Sequence, residues 1–177
     1  HDVDSSTAEL RTALGPHGRT RRLRLGERVV IEGGSAGSVM LITSGVVKVV
    51  ATTPDGDEVA IAIRRAGDLI GDHAAISGLP RSAGVTVVEA GEAIVVPANR
   101  FLDVLAENPS MALSQLRRVL RTLRESDERL VEIVTMRAGD RVVRRLRALA
   151  QESGTGRINL SQDELAALSA TSRSACR

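Results

Sequence analysis

Aromatic residues are almost missing from this chain of 177 residues: it has no tryptophan, no tyrosine and one phenylalanine, Phe101. Recognition of unpaired bases by a ladder of stacked rings is therefore excluded. Cysteine is as scarce. Cys176 stands alone, which excludes an internal disulfide and an iron–sulfur cluster held by four thiolates of this chain, and places the protein in a reducing compartment. No apolar run approaches the ~18 residues of a membrane span, and the N-terminus lacks the basic-then-apolar layout of a signal peptide. The expectation is a cytoplasmic protein with no membrane partner. His1, His17 and His73 are scattered at spacings that do not converge on a metal. Nucleophile elbow, Walker loop and H-E-x-x-H are all absent, so neither a metal site nor catalytic residues are expected, and the chain reads as not an enzyme. It begins at His1 and stops in mid-pattern at Arg177, which reads as a piece of a longer chain.

What is present is a core and a mild positive charge. Hydrophobic residues make up 42% of the chain, enough to build a real interior. Of the 24 basic residues all but Lys48 are arginine, and the net charge is +2. That balance is compatible with nucleic acid without being diagnostic of it.

The local grammar changes twice. Residues 5–14 read as a short helix ended by Gly15-Pro16. From Leu23 to Pro97 the chain becomes short β-branched runs broken by glycine: Val29–Ile31, Val39–Ile42, Val46–Val50, Val59–Ile63, Val85–Val88 and Ala93–Val96. Pro54-Asp55-Gly56 is a hairpin turn, because proline presets φ and glycine accepts φ > 0. Many short strands at near-regular spacing predict an all-β barrel or sandwich for this part. After Ala98 the period is helical. Leu113, Leu116, Leu120, Leu123, Asp127, Leu130 and Val134 follow at alternating steps of three and four, a heptad seam flanked by arginine and glutamate. A seam so long, narrow and leucine-rich predicts a two-stranded parallel coiled coil and a homodimer, against the alternative of a helix packed on its own β domain.

Gly139-Asp140-Arg141 is expected to break that helix before a second small unit. Ser161 as N-cap and Glu164 at the third helical position form a capping box ahead of Leu165–Leu168. After the turn Ser169–Thr171 a new helix is expected to start at Ser172, which gives the helix-turn-helix layout of DNA-binding proteins. Cys176 is expected to point inward as a small hydrophobe.

The most informative stretch is Gly67-Asp68-Leu69-Ile70-Gly71-Asp72, followed by Pro80-Arg81-Ser82-Ala83. Backbone N–H groups exposed at Gly71 and the planar fork of Arg81 are what one phosphate needs. A carboxylate beside them must face something else, and a ribose hydroxyl is the candidate. The segment resembles the phosphate-binding cassette of the cyclic-nucleotide-binding domain, with Asp72 standing where a Glu is usual. Together with the dimer helix and the helix-turn-helix, which follow in the same order, it resembles the cyclic AMP receptor protein (Crp/Fnr) family of bacterial transcription regulators.

The resemblance implies an α+β fold: a cyclic-nucleotide-binding β-roll domain over 1–109, a dimerisation helix over 110–138 and a winged helix-turn-helix, incomplete here, over 139–177. It implies a nucleotide site made of Gly71, Asp72, Arg81, Ser82 and Ala83, with Ser126 and Asp127 of the dimer helix touching the purine. Ser172, Arg173, Ser174 and Arg177 become the DNA-reading residues, Arg173 for guanine O6 and N7. The implied effector is cyclic AMP, with cyclic GMP as the alternative, because an ionised Asp127 only accepts hydrogen bonds and guanine offers N1–H and its 2-amino group. The competing reading of Asp127 pairs it with Arg124 or Arg129. Expected partners are double-stranded DNA, the cyclic nucleotide, a second copy of the chain and RNA polymerase. Two other readings stay open: a cyclic-nucleotide sensor module with no DNA role, and a family member that answers to a different effector or to none.

Overall fold

The structure, a computed structural model, describes residues 2–153 and 161–171. Helix α1 (Asp2–Leu14) leads through a single 3-10 turn at Gly15–His17 into a six-stranded antiparallel sheet. Its strands are β1 (Arg19–Leu23), β2 (Arg28–Val30), β3 (Ser38–Thr52), β4 (Glu58–Arg65), β5 (Leu69–Ile70) and β6 (Gly84–Pro97). The main path runs β1-β6-β3-β4, with β2 pairing to β6 and β5 to β3. Helix α2 (Asp72–Ser77) interrupts the strands, and α3 (Ala98–Glu107), α4 (Pro109–Thr135), α5 (Ala138–Ser153) and α6 (Gln162–Leu168) follow. Among the described residues no helix is long and apolar enough to cross a membrane.

Strand β3 organises the roll because alternate side chains point to opposite faces. Val39 and Leu41 enter a core with Leu10 and Leu14 of α1 and Phe101 and Val104 of α3. Met40 and Ile42 enter a second core with Val30, Ile70, Val85 and Val87. Both faces of the strand are therefore covered. Phe101, the one aromatic ring, is fully buried beneath the helices.

The pairs of β-branched runs on either side of Gly45 and Gly91 are single strands. Gly45 (φ +84°) and Gly91 let β3 and β6 touch backbone to backbone: a Cβ on Gly91 would lie 2.1 Å from the Ser44 carbonyl oxygen. The glycines bend the pair and shift its register instead of ending it. Strand β1 escaped the sequence pattern because four of its five residues are exposed, so its ladder to β6 holds it and alternation does not reveal it. Helix α2 is short and carries no periodicity that marks it in the sequence. The turn at residues 54–56 stands as expected between β3 and β4, with Gly56 at φ +91°.

The long helix ends sooner than its expected boundary. It stops at Thr135, Met136 is extended (φ −104°, ψ 147°), and Gly139 falls inside the first turn of α5. Arg141 makes the break possible by donating from Nη1 to the freed Met136 carbonyl at 2.7 Å.

The C-terminal unit rests on the roll. Leu149 of α5 and Leu168 of α6 pack with Ala60 and Ile63 of β4. Lys48 of β3 forms an ion pair with Glu164 of α6, and Arg141 donates to the Ser169 and Ala170 carbonyls at 3.0 and 2.7 Å.

Candidate functional site

A cleft of about 1270 Å³ opens between the roll, α2 and the inner face of α4 and extends to α5 and the end of α6. Gly71, Asp72, Arg81, Ser82 and Ala83, which come from two loops and the start of a helix, all line it.

Arg81 is its centre. The side chain is 8% exposed, and its guanidinium donates to three main-chain carbonyls: Nε to Ser35 at 3.2 Å, Nη1 to Gly71 at 3.0 Å and Nη2 to Ser38. A guanidinium has five N–H groups, so three engaged carbonyls leave two unengaged. Burial pushes its pKa below the ordinary arginine value, and the Asp72 carboxylate opposes that shift. The backbone around it is tied as well: Gly33 N–H donates to the Arg81 carbonyl at 2.8 Å, and Arg81 N–H to that of Gly34 at 2.9 Å.

Gly71 is required twice. It sits at φ +81°, the left-handed region, and a Cβ there would fall 1.7 Å from Arg81 Nη1. It also opens α2, whose first residue is Asp72.

Asp72 is 6% exposed and is not free for a ribose. Its Oδ2 accepts a hydrogen bond from Nε2 of Gln115, a buried residue of α4, and His73 Nε2 lies 3.9 Å from the same oxygen. Sequence reasoning missed Gln115. It is a polar residue between Leu113 and Leu116 on the face of α4 turned to the roll, and neither a motif nor the seam marks it.

Two more bonds fasten α4 to the roll. Arg118 Nη2 donates to the Gly67 carbonyl at 3.0 Å, and Arg129 Nη1 to that of Ile61 at 2.9 Å. Thr122 and Glu125, between them on the helix, line the cleft.

Ser126 and Asp127 do not join this group within one chain. Both are exposed, and Ser126 Oγ donates to the Thr122 carbonyl of its own helix at 3.0 Å. Neither proposed arginine partner is spent on Asp127: Arg124 pairs with Glu128 at 3.4 Å and Arg129 with the roll. The seam faces outward, with Leu113 47% exposed, Leu116 and Leu120 54%, Leu123 57%, Leu130 62% and Val134 84%.

At the far end the capping box is formed. Ser161 Oγ accepts from Glu164 N–H at 3.1 Å, and the Glu164 carboxylate accepts from Ser161 N–H at 2.8 Å. Ala170 in the turn after α6 adopts φ +49°. Ser172, Arg173, Ser174, Cys176 and Arg177 lie outside the described residues.

Comparison with known proteins points the same way. The family model described as "Cyclic nucleotide-binding domain" matches residues 20–108. The chain is 28% identical over 155 residues to the CRP-like cAMP-activated global transcriptional regulator of Mycobacterium tuberculosis, covering 84% of this chain and 69% of that protein. It is 28% identical over 172 residues to the cyclic AMP receptor protein of Thermus thermophilus, covering 97% and 76%. The fold matches that of the c-di-GMP-responsive global regulator CLP of Xanthomonas campestris with a TM-score of 0.81 at 21% identity, over 98% of this chain and 88% of that one. With the cassette, the roll and α4 in their places, the chain belongs to the cyclic nucleotide-binding domain family, and CRP-like transcription regulators are among its relatives.

Proposed function

We propose that this protein is a homodimeric, sequence-specific DNA-binding transcription regulator, not an enzyme, controlled by a cyclic nucleotide held between the roll and α4. Arg81 carries the reading. It is a buried cation whose bonded partners are neutral carbonyls, at the wall of an open cleft. The Asp72 carboxylate offsets part of the cost of burying this charge but is bonded to Gln115, and a phosphate entering the cleft supplies a direct ionic partner with charge-assisted hydrogen bonds. The relatives' names, a cAMP-activated transcriptional regulator and a cyclic AMP receptor protein, support cyclic AMP as the ligand and transcription as the process controlled. Double-stranded DNA as the target, RNA polymerase as a further partner and the cytoplasm as the place of action belong to the same proposal.

Coupling follows from what the cleft joins. Asp72–Gln115 and Arg118–Gly67 tie the cassette to α4, and α4 leads through Met136 to the C-terminal unit. A nucleotide that draws Asp72 onto its ribose competes with Gln115, loosens that tie and shifts the set of the helix. A ligand moves the equilibrium only by its difference in affinity for the two arrangements.

The Asp72–Gln115 bond also favours a second reading, in which a different effector binds and leaves that bond in place. Calorimetric titration of the purified protein with cyclic AMP and cyclic GMP, paired with gel-shift binding to a library of two-fold symmetric sites, tests both. Nucleotide-dependent DNA retention is expected. Binding of neither nucleotide at millimolar concentration removes the cyclic mononucleotide, and DNA binding indifferent to a bound nucleotide removes the coupling.

A further inference from the structure

The cleft is lined by more arginine than one phosphate uses. Beyond Arg81, its wall at the β4–β5 turn and the first half of α4 carries Arg64, Arg65, Arg117, Arg118 and Arg121. Asp68 is the carboxylate bound into this group: its Oδ2 accepts from Arg65 N–H at 2.9 Å, and its Oδ1 lies 3.6 Å from Arg118 Nη1. Glu9 and Glu125 line the cleft as well without pairing with any of the five. The Arg65 Nε is buried and has no hydrogen-bond partner. An orphaned buried donor is unfavourable and points to an acceptor that the chain itself does not provide.

The helix shows the same excess. Arg117 and Arg121 are four residues apart, and Arg118 and Arg121 three, so like charges face each other along the cleft side of α4. Such spacing destabilises a helix by itself and is relieved when an anion sits among the charges. The cleft is also continuous: from the cassette it runs along α4 past Arg117, Arg118 and Arg121.

We propose that Arg65, Arg117 and Arg121, with Arg118 held in place by Asp68 and Gly67, form a second phosphate subsite beside the Arg81 cassette. The preferred effector then carries two phosphates set apart, as a cyclic dinucleotide does. This rests on the reading of the cleft as a nucleotide site and extends it to the ligand's class.

The test uses the whole chain and three ligands, cyclic AMP, cyclic di-AMP and cyclic di-GMP, titrated into wild type, Arg117→Gln/Arg121→Gln and Arg81→Ala. Arg117 and Arg121 are exposed on the helix, so their replacement leaves the fold standing. At least one cyclic dinucleotide binds wild type more tightly than cyclic AMP. The double variant weakens it by about tenfold or more, because charge-assisted contacts to a phosphate are lost, and holds cyclic AMP within about twofold. Equal weakening of both ligand classes, no weakening, or cyclic AMP binding without any cyclic dinucleotide overturns the second subsite and leaves the cassette reading intact. If instead Arg81→Ala leaves every affinity unchanged while the double variant lowers that of the dinucleotide, the cassette reading fails and the second subsite stands. Binding of none of the three to wild type overturns both.

Discussion

The cassette and the outer face of α4 lie on opposite sides of one helix and are finished to different degrees. Around Arg81 the chain ties down its own groups: three carbonyls accept from the guanidinium, which keeps two N–H groups unengaged, and Asp72 is held by Gln115. Along the seam six apolar side chains stand about half exposed or more, in a row 22 residues long from Leu113 to Val134. One chain folds the wall of the cleft but leaves the outer stripe of α4 in solvent. In the proposed dimer a second copy covers that stripe.

The largest effect is expected from the seam. Each leucine contributes roughly 1.5–3 kcal/mol when buried, so Leu120→Lys with Leu123→Lys, which also sets charges against one another across the interface, removes several kcal/mol from association. Sedimentation at micromolar concentration should show a monomer with an unchanged far-ultraviolet spectrum. A variant that still sediments as a dimer would erase the contrast, since the exposed leucines would then not be the interface.

Arg81→Ala comes next and acts on the finished side. It removes a charge-assisted contact of ~1.5–3 kcal/mol from nucleotide binding, roughly a 10- to 100-fold loss of affinity. It also strips donors from the carbonyls of Ser35, Gly71 and Ser38, so the melting temperature falls too. Arg81→Lys sharpens the point: it keeps the charge, but a lysine cannot present a planar fork to three carbonyls. Retained affinity in the lysine variant would reduce Arg81 to a point charge.

Gln115→Leu probes the join between the two regions. Asp72 is buried, and without the amide its carboxylate loses a donor, at a cost of about 1–3 kcal/mol. If the Asp72–Gln115 bond competes with ribose, the variant gives up stability and gains nucleotide affinity. Loss of both makes Gln115 part of the ligand site, not a tie released by it.

The parts of this design visible in the sequence are those with local causes. Gly71, Arg81 and the Ser161–Glu164 box announce themselves because a φ above zero, a planar fork and a cap are each properties of one or two residues. Gln115 did not, because its partner lies 43 residues away and no periodicity picks out one amide on a helix. Strand β1 is hidden for a related reason: with four arginine or threonine side chains in solvent, it carries no alternation, and backbone pairing to β6 alone decides its fate. The end of α4 was misplaced because Gly139 is the conspicuous breaker, whereas the break is made at Met136 by Arg141 reaching back. The inner face of α4 is the harder case. The heptad marks only the outer stripe, so the arginines that line the cleft read as flanking charge.

The smallest effect concerns the docking of the C-terminal unit on the roll, where Lys48, the single lysine, meets Glu164. Burial alone would raise the Glu164 carboxyl, but hydrogen bonds from the Lys48 ammonium and the Ser161 N–H outweigh it and hold the group below its ordinary 4.5. A carboxylate depressed in this way stabilises the docked arrangement above 4.5, and that stabilisation fades as the pH falls through the lower folded value. Both side chains keep part of their surface in water, so the pair contributes on the order of 0.5–1 kcal/mol after screening. Lys48→Met keeps the aliphatic stem over β3 and deletes the charge. It should speed proteolysis near residues 161–171 at neutral pH and flatten the acid limb of that susceptibility, while the Ser161 bonds preserve some of it. If docking also holds the unit away from DNA, the same variant raises DNA affinity without nucleotide by a few-fold at most. An unchanged acid limb would mean that Ser161 alone sets the Glu164 carboxylate, and that the patch of Ile63, Leu149 and Leu168 holds the unit without help from the ion pair.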